Sequence, residues 1–290
     1  MIYIFLCILL STLIFVTFKL FDRFKVNNFQ AITINYLIAC VFGYITVDSN
    51  LSFNQITELP WLPNGIVIGI LFIVVFNIFA LSAQKAGVAI TAVSSKMSVI
   101  LPVALGFIVF KEHIIWLKVI GIVFALLAFY LTFKKDKTAV IDKKYMLLPL
   151  ILFFGNGIND TTMSFTKKTF GIATDNDVML LLNVIFTTSL IIGVVYISIS
   201  IIRGKVKLEL KNIYAGIILG LLNYASTFYF FKSLSLYDNS VFFPIFNVSI
   251  VAMSAIIGFL VFKERLKLIN WAGILLAIAA ILLIAFAEKI

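Results

Sequence analysis

Two stretches decide how this chain is read: "GFIVFKEHIIWLKVIGIVFALLAFYL", Gly106 to Leu131, and "GFLVFKERLKLINWAGILLAIAAILL", Gly258 to Leu283. They stand 152 positions apart. At that shift Phe110-Lys111-Glu112 falls on Phe262-Lys263-Glu264, Gly106 on Gly258 and Gly121 on Gly273. Ala125 and Ala128 fall on Ala277 and Ala280, and no gap is needed. Two apolar helices match by chance easily; glycines, a charged triplet and the register of later alanines do not match together so easily. Nearer the start of each half a shift of 148 serves better, pairing Lys19 with Lys167 and Asn35 with Asn183. A longer connector around 203–212 takes up the difference.

The surroundings of the repeat fix the medium. The 290 residues are 62% hydrophobic and 12% charged, whereas a soluble domain is nearer half apolar and a quarter charged. Such a chain cannot cover its own surface with polar groups, so a membrane protein is expected. The net charge of +10 is carried largely by Lys and Arg in short connectors. That pattern fits anionic headgroups and membrane topology rather than a nucleic-acid groove. Cys7 and Cys40 fall in apolar runs and read as packing. The first run is read as a retained span, since no basic stretch precedes it and no small-residue cleavage site follows.

A helix needs about 20 apolar residues to cross the hydrocarbon layer. Ten runs qualify: 2–19, 30–47, 63–84, 88–110, 114–133, 145–168, 178–202, 213–232, 241–262 and 268–287. They are continuous rather than alternating, which predicts helices and excludes a barrel. The charged linker Lys134–Lys144 divides them into two sets of five, a first repeat over 1–135 and a second over 145–290. Five crossings is an odd number, so the second copy enters from the opposite side. The predicted fold is an all-α integral membrane protein of ten transmembrane helices in two inverted five-helix repeats. A site between such copies opens to either side at similar energy, which is the architecture of a carrier.

Ten helices, two five-helix repeats, and a Lys-Glu pair closing the fourth and ninth helices before a Gly/Ala-rich last helix resemble the drug/metabolite transporter superfamily, more narrowly its EamA-type carriers. The resemblance runs the whole chain and is strongest at 79–133 and 231–287. It implies secondary transport of small metabolites, amino acids or drugs. It also implies a central cavity lined by helices one to four and six to nine, with five and ten outside. The Trp-Gly often found in the first helix is missing from "LLSTLIFVTFKLF" (Leu9–Phe21), while the sixth helix keeps the Gly-rich "FFGNGINDTTMS" (Phe153–Ser164).

Ionisable groups at membrane depth are costly and usually face the protein interior or a wet cavity. Lys96 lies near the middle of the fourth run. It reads either as a lysine snorkelling to an interface or pairing with a helix-end carbonyl, or as a cationic anchor for a substrate carboxylate or phosphate that can also exchange a proton. Thr91, Ser94, Ser95 and Ser98 form one helical stripe, about 150° from Lys96 at about 100° per residue. Lys96 is therefore expected toward the cavity and the hydroxyl stripe toward a neighbouring helix. Asp160 is either a helix cap, if the sixth helix stops near 158, or a proton-coupling carboxylate. Asn156 and Asn159 share its face. Lys96 and Asp160 lie roughly 12 and 22 Å into the layer at 1.5 Å per residue, so a direct pair needs shifted helix edges or a water bridge.

Asn35, Asn77, Asn183, Asn223, Thr227 and Asn247 add neutral polar groups at depth. Singly each is interhelical glue worth about 1 kcal/mol; as a set they are expected to line a wet cavity and bind substrate. Pro102 and Pro244 are candidates for kinks. His113 is the single histidine, and no nucleotide loop, metal cluster or nucleophile elbow is visible. No enzyme activity, cofactor or metal is expected. Charge counting places both termini outside the cell, while the resemblance places both inside. The expectation is a secondary transporter of an amino-acid-like or drug-like metabolite in a bacterial inner membrane, working by alternating access. Its partners are the small solute and the bilayer, with a homodimer conceivable and no nucleic acid. A flippase for a lipid-linked headgroup and a non-transporting scaffold are the rivals.

Overall fold

The computed structural model describes residues 2–47, 56–85, 94–133, 145, 147–204, 209–261 and 267–287. Among them the regular elements are helices: α1 (Ile2–Arg23), α2 (Asn28–Thr46), α3 (Leu62–Lys85), α4 (Ile100–Ile108), α5 (Trp116–Phe133), α6 (Leu147–Thr169), α7 (Asp175–Ile202), α8 (Leu210–Leu234), α9 (Asn239–Leu260) and α10 (Leu268–Ala287). The predicted runs coincide with these to within a few residues, except the fourth. Thr91, the linker 134–144 and the second copy of the Phe-Lys-Glu triplet lie outside the described residues.

The fourth run is not one regular helix. One helical turn over 94–97 is followed by a turn at 98–99 before α4 begins. Val99 N–H reaches Lys96 O at 3.3 Å and Leu101 N–H reaches Ser98 O at 3.0 Å, both three residues back. The cause is Pro102, which has no N–H for the Ser98 carbonyl and whose ring crowds it. The chain tightens to i→i−3 bonding just ahead of the proline. Pro244 sits near the start of α9, and that helix stays unbroken.

Helix ends follow local chemistry. Asn27 caps α2, its side chain accepting from Gln30 N–H at 3.2 Å, and Thr174 with Asp177 forms a capping box at α7. The ends of α1 and α6 close alike. Val26 N–H bonds Phe21 O around Lys25 at φ 51°, and Ile172 N–H bonds Lys167 O around Gly171 at φ 60°. Many large apolar side chains point outward, among them Leu37, Val41 and Ile45 on α2 and Ile191 and Val195 on α7. In water that coat would be an aggregation surface; against acyl chains it costs nothing.

The chain forms two compact units, Met1–Asn77 with Thr162–Ser235, and Ile78–Thr161 with Leu236–Ile290. Each draws helices from both halves of the sequence. In the first unit α2 lies against α7, α8 and α3's neighbour by small residues. A Cβ on Gly216 would lie 2.5 Å from Ile34 Cβ, and one on Gly220 would lie 2.8 Å from the Asn35 carbonyl oxygen. Gly65 and Gly69 of α3 meet α7 in the same way, against Val184 and against the Ile185 carbonyl oxygen at 2.6 Å. Small residues four apart let the backbones close together, and in both pairs residue numbers rise together, so the helices are parallel. α2 and α7 instead run antiparallel. Asn183 sits on Gly43 and Thr33 sits on Gly193, with the buried rings of Tyr36 and Phe186 between them at 6.2 Å. These contacts repeat at a shift of 150–151, so Asn183 occupies the place of Thr33 rather than of Asn35; the register of 148 read from the sequence is off by two there.

In the second unit α5 and α10 are antiparallel. Gly121 lies against Ile284 and Ala280, while Asn270 Nδ2 donates to Leu131 O at 3.2 Å. Between those contacts Ala125, Ala128, Ala277 and Ala280 are all fully buried. The alanines matched at 152 therefore form the small-residue seam of this pair. α4 and α9 are antiparallel as well, as the contacts below show.

Candidate functional site

The polar residues singled out in the sequence separate into two groups, one in each unit. In the second unit, the helical turn 94–97 meets α6 on one side and α9 on the other. Lys96, only 9% exposed, donates from Nζ to Asn247 Oδ1 at 3.1 Å and sits 5.7 Å from the centre of the Phe246 ring. Asn247 Nδ2 donates to Phe243 O at 3.1 Å. That bond fixes the amide so that its oxygen, not its NH2, faces the ammonium. The amide oxygen and the aromatic face both stabilise the cation.

Ser95 points the other way. Its Oγ accepts from Asn156 Nδ2 at 3.0 Å, and Ser98 Oγ donates to Ser95 O at 2.6 Å. Gly157 makes this approach possible, since a Cβ there would lie 2.2 Å from Leu101 Cδ1. Within the described residues the hydroxyl stripe thus packs on a helix, while Lys96 faces α9.

α6 runs to Thr169, nine residues beyond Asp160, so the carboxylate is inside the helix and is not a cap. Asp160 is half-buried and within electrostatic reach of Lys96. The sequence estimate of their depths kept them apart. Asn159 is buried beside them on α6. Lys96 thus has Asn247 against it and Asp160 within electrostatic reach, and Asn156 and Asn159 lie on the same helix as Asp160.

In the first unit Asn35 and Asn223 bond each other, while the buried side-chain oxygens of Asn77 and Asn183 find no hydrogen-bond partner among the described residues. Asn223 Nδ2 donates to Asn35 Oδ1 at 3.1 Å, Asn35 Nδ2 to Ile32 O at 3.3 Å, and Thr227 Oγ1 to Asn223 O at 2.8 Å. Asn183 sits on Gly43, and Asn77 Nδ2 returns to Ile73 O at 2.7 Å. Cys7 and Cys40 are buried here as free thiols, against Ser226 O and Thr187 Oγ1, each at 3.5 Å. Asn35→Ala is expected to lower thermal stability by about 1 kcal/mol with KM unchanged. A folded Asn35→Ala protein with KM raised about ten-fold, a loss of about 1.4 kcal/mol of binding, would place substrate in this unit instead.

Sequence reading missed three participants. Phe246 was one of thirty phenylalanines with nothing to mark it. Ser95 was seen as part of a packing stripe, although the 152 shift places it opposite Asn247, so the two copies use the same position to accept a bond from a neighbour. Glu112 was noted only as half of a repeated pair. Its carboxylate in fact accepts from Asn239 N–H at 2.8 Å and Ser240 N–H at 2.9 Å, at the start of α9.

The described residues are helical with an apolar outer surface, and four of the helices are long and apolar enough to cross a membrane. Residues 172–286 match the EamA-like transporter family, part of the drug/metabolite transporter superfamily. Members of that family are transporters rather than enzymes. The match and the apolar helices point to an integral multi-pass membrane protein. An uncharacterized protein of Haemophilus influenzae is 26% identical, over 98% of this chain and 97% of the relative. A solved crystal structure superposes with a TM-score of 0.78 over 99% of this chain and 97% of its own, at 12% identity, a likeness of fold.

Proposed function

We propose that the protein is a secondary transporter whose two five-helix repeats are inverted copies, and that it carries a small metabolite, amino-acid-like or drug-like, across a bacterial inner membrane by alternating access. Support for the inversion comes from packing. α2 against α7, α4 against α9 and α5 against α10 are each a helix and its counterpart, and each pair is antiparallel. The glycine contacts of Gly43 and Gly193, and of Gly65 and Gly69 with Gly216 and Gly220, recur at a shift of 150–151. Two units assembled from both copies are what alternating exposure needs.

The observation that carries the site is Lys96, a buried ammonium at membrane depth held by neutral groups and within reach of one carboxylate. Lys96 binds an anionic group of the substrate, the amides of Asn156, Asn159 and Asn247 orient it, and Asp160 exchanges a proton as substrate enters or leaves. The Asn35–Asn223 set holds helices together in the other unit. The test is transport in proteoliposomes. Flux driven by a pH gradient is expected to vanish in Asp160→Asn, while substrate exchange at equal pH on both sides persists. Gradient-driven flux that survives in Asp160→Asn removes the proton-coupling role.

A further inference from the structure

We propose that Glu112 is a positioning residue for the Lys96–Asn247 contact: its carboxylate fixes the first turn of α9 and thereby the height at which Asn247 meets Lys96. The turn that presents Glu112 is built for it. Lys111 adopts φ 52°, Glu112 N–H returns to Gly106 O at 3.1 Å, and the carboxylate rests on the Gly106 backbone. A Cβ on Gly106 would come within 2.6–2.8 Å of its atoms. From there one oxygen takes the Asn239 N–H and the other the Ser240 N–H. Those are two of the N–H groups that a helix start leaves without partners, and the helix dipole favours a carboxylate at that end.

The residue just before α9 is fastened as well. Asp238 Oδ2 pairs with Nζ of the buried Lys118 of α5 at 3.5 Å, and Asn239 Nδ2 reaches Pro102 O at 3.4 Å. The start of α9 is therefore tied to α4, to the α4–α5 turn and to α5. Asn247 lies eight residues further on, about 12 Å at 1.5 Å per residue. α9 is unbroken over that distance, and Asn247 is pinned to its own helix at Phe243 O. A slip at Asn239 thus arrives at Asn247 almost whole. The Phe-Lys-Glu triplet, which sequence alone offers only as a repeat marker, acquires a task in its first copy.

The structural part of this inference stands on geometry, and its consequence for transport rests on the function proposed above. The test measures the acetylation rate of Lys96 by acetic anhydride in the purified full-length protein, read by mass spectrometry. Glu112→Gln turns one acceptor into a donor facing a backbone N–H. It is expected to raise the Lys96 rate about five-fold, the scale of a lost helix cap, and to leave Lys167 in the other unit unchanged. Asn247→Ala is expected to raise the Lys96 rate by itself, and adding Glu112→Gln to it is expected to change nothing more. Should Glu112→Gln fail to fold, Gly106→Ala displaces the same carboxylate and takes its place. A folded variant with a Lys96 rate altered by less than about two-fold, below what a lost cap gives, overturns the proposal. So does an equal rise at Lys167, or a rise that adds to that of Asn247→Ala. If these rates behave as expected while Lys96 proves dispensable for transport, the positioning role stands and the site assignment alone falls.

Discussion

Lys96→Met abolishes measurable transport in proteoliposomes and leaves the heat stability of the protein nearly unchanged. The two halves of this expected result have separate causes. Methionine fills nearly the same volume on Phe246 and beside Asn247, so packing is kept. The ammonium it removes is 9% exposed and costs several kcal/mol to hold out of water. Taking that cost away offsets the donor that the Asn247 oxygen loses and the cation that Asp160 loses, so stability is expected to stay within about 1 kcal/mol. For transport the loss is one-sided. A charge-assisted hydrogen bond to an anionic substrate group is worth about 2–3 kcal/mol, roughly 30- to 150-fold in affinity. A residue kept for architecture shows the opposite pattern, with stability falling and residual flux following the amount of folded protein. Lys96→Arg is expected to recover little, because the bulkier fork does not fit between Asn247 and Phe246.

Gly69→Val and Gly220→Val each destabilise the protein by about 3 kcal/mol, and by nearly equal amounts. Both glycines press on a backbone carbonyl of the facing helix, Ile185 O at 2.6 Å and Asn35 O at 2.8 Å from where a Cβ would stand. A carbonyl inside a helix cannot step aside unless the helix moves. Gly43→Ala makes a shorter contact on paper, but with the end of the Asn183 side chain, which can rotate away, so its cost is expected to be smaller. Thermal unfolding of the three purified variants in detergent checks the order. A near-silent Gly69→Val beside a severe Gly220→Val would break the equivalence of the α3–α7 and α2–α8 contacts.

Much of the fold was legible because lipid makes strong demands on sequence. Apart from the fourth, the apolar runs could be read from hydrophobic length, and the alanines that pack between α5 and α10 were marked by the 152 shift, though not as a contact. The packing register near the start of the halves could not be read. Asn35 and Asn183 are both buried amides, and matching by residue type hid the fact that Asn183 fills the place of Thr33. The site was half legible. Lys96, Asn156, Asp160 and Asn247 stood out as polar groups in apolar helices, but periodicity cannot show which of them face one another, as Lys96 and Asn247 do. Glu112 was legible as a motif and not as a cap, since a carboxylate in a connector reads as solvated until the helix start it faces is known.

In the carrier proposed here the surroundings of Lys96 are exposed to each side of the membrane in turn. A protein carrying Phe246→Cys, at the position whose ring centre lies 5.7 Å from Lys96 Nζ, in a Cys7→Ala, Cys40→Ala background tests this. In oriented proteoliposomes a membrane-impermeant maleimide is expected to label that thiol when added to either face, and substrate is expected to slow both reactions. Labelling from one face alone, or from neither, whatever the substrate concentration, contradicts the account.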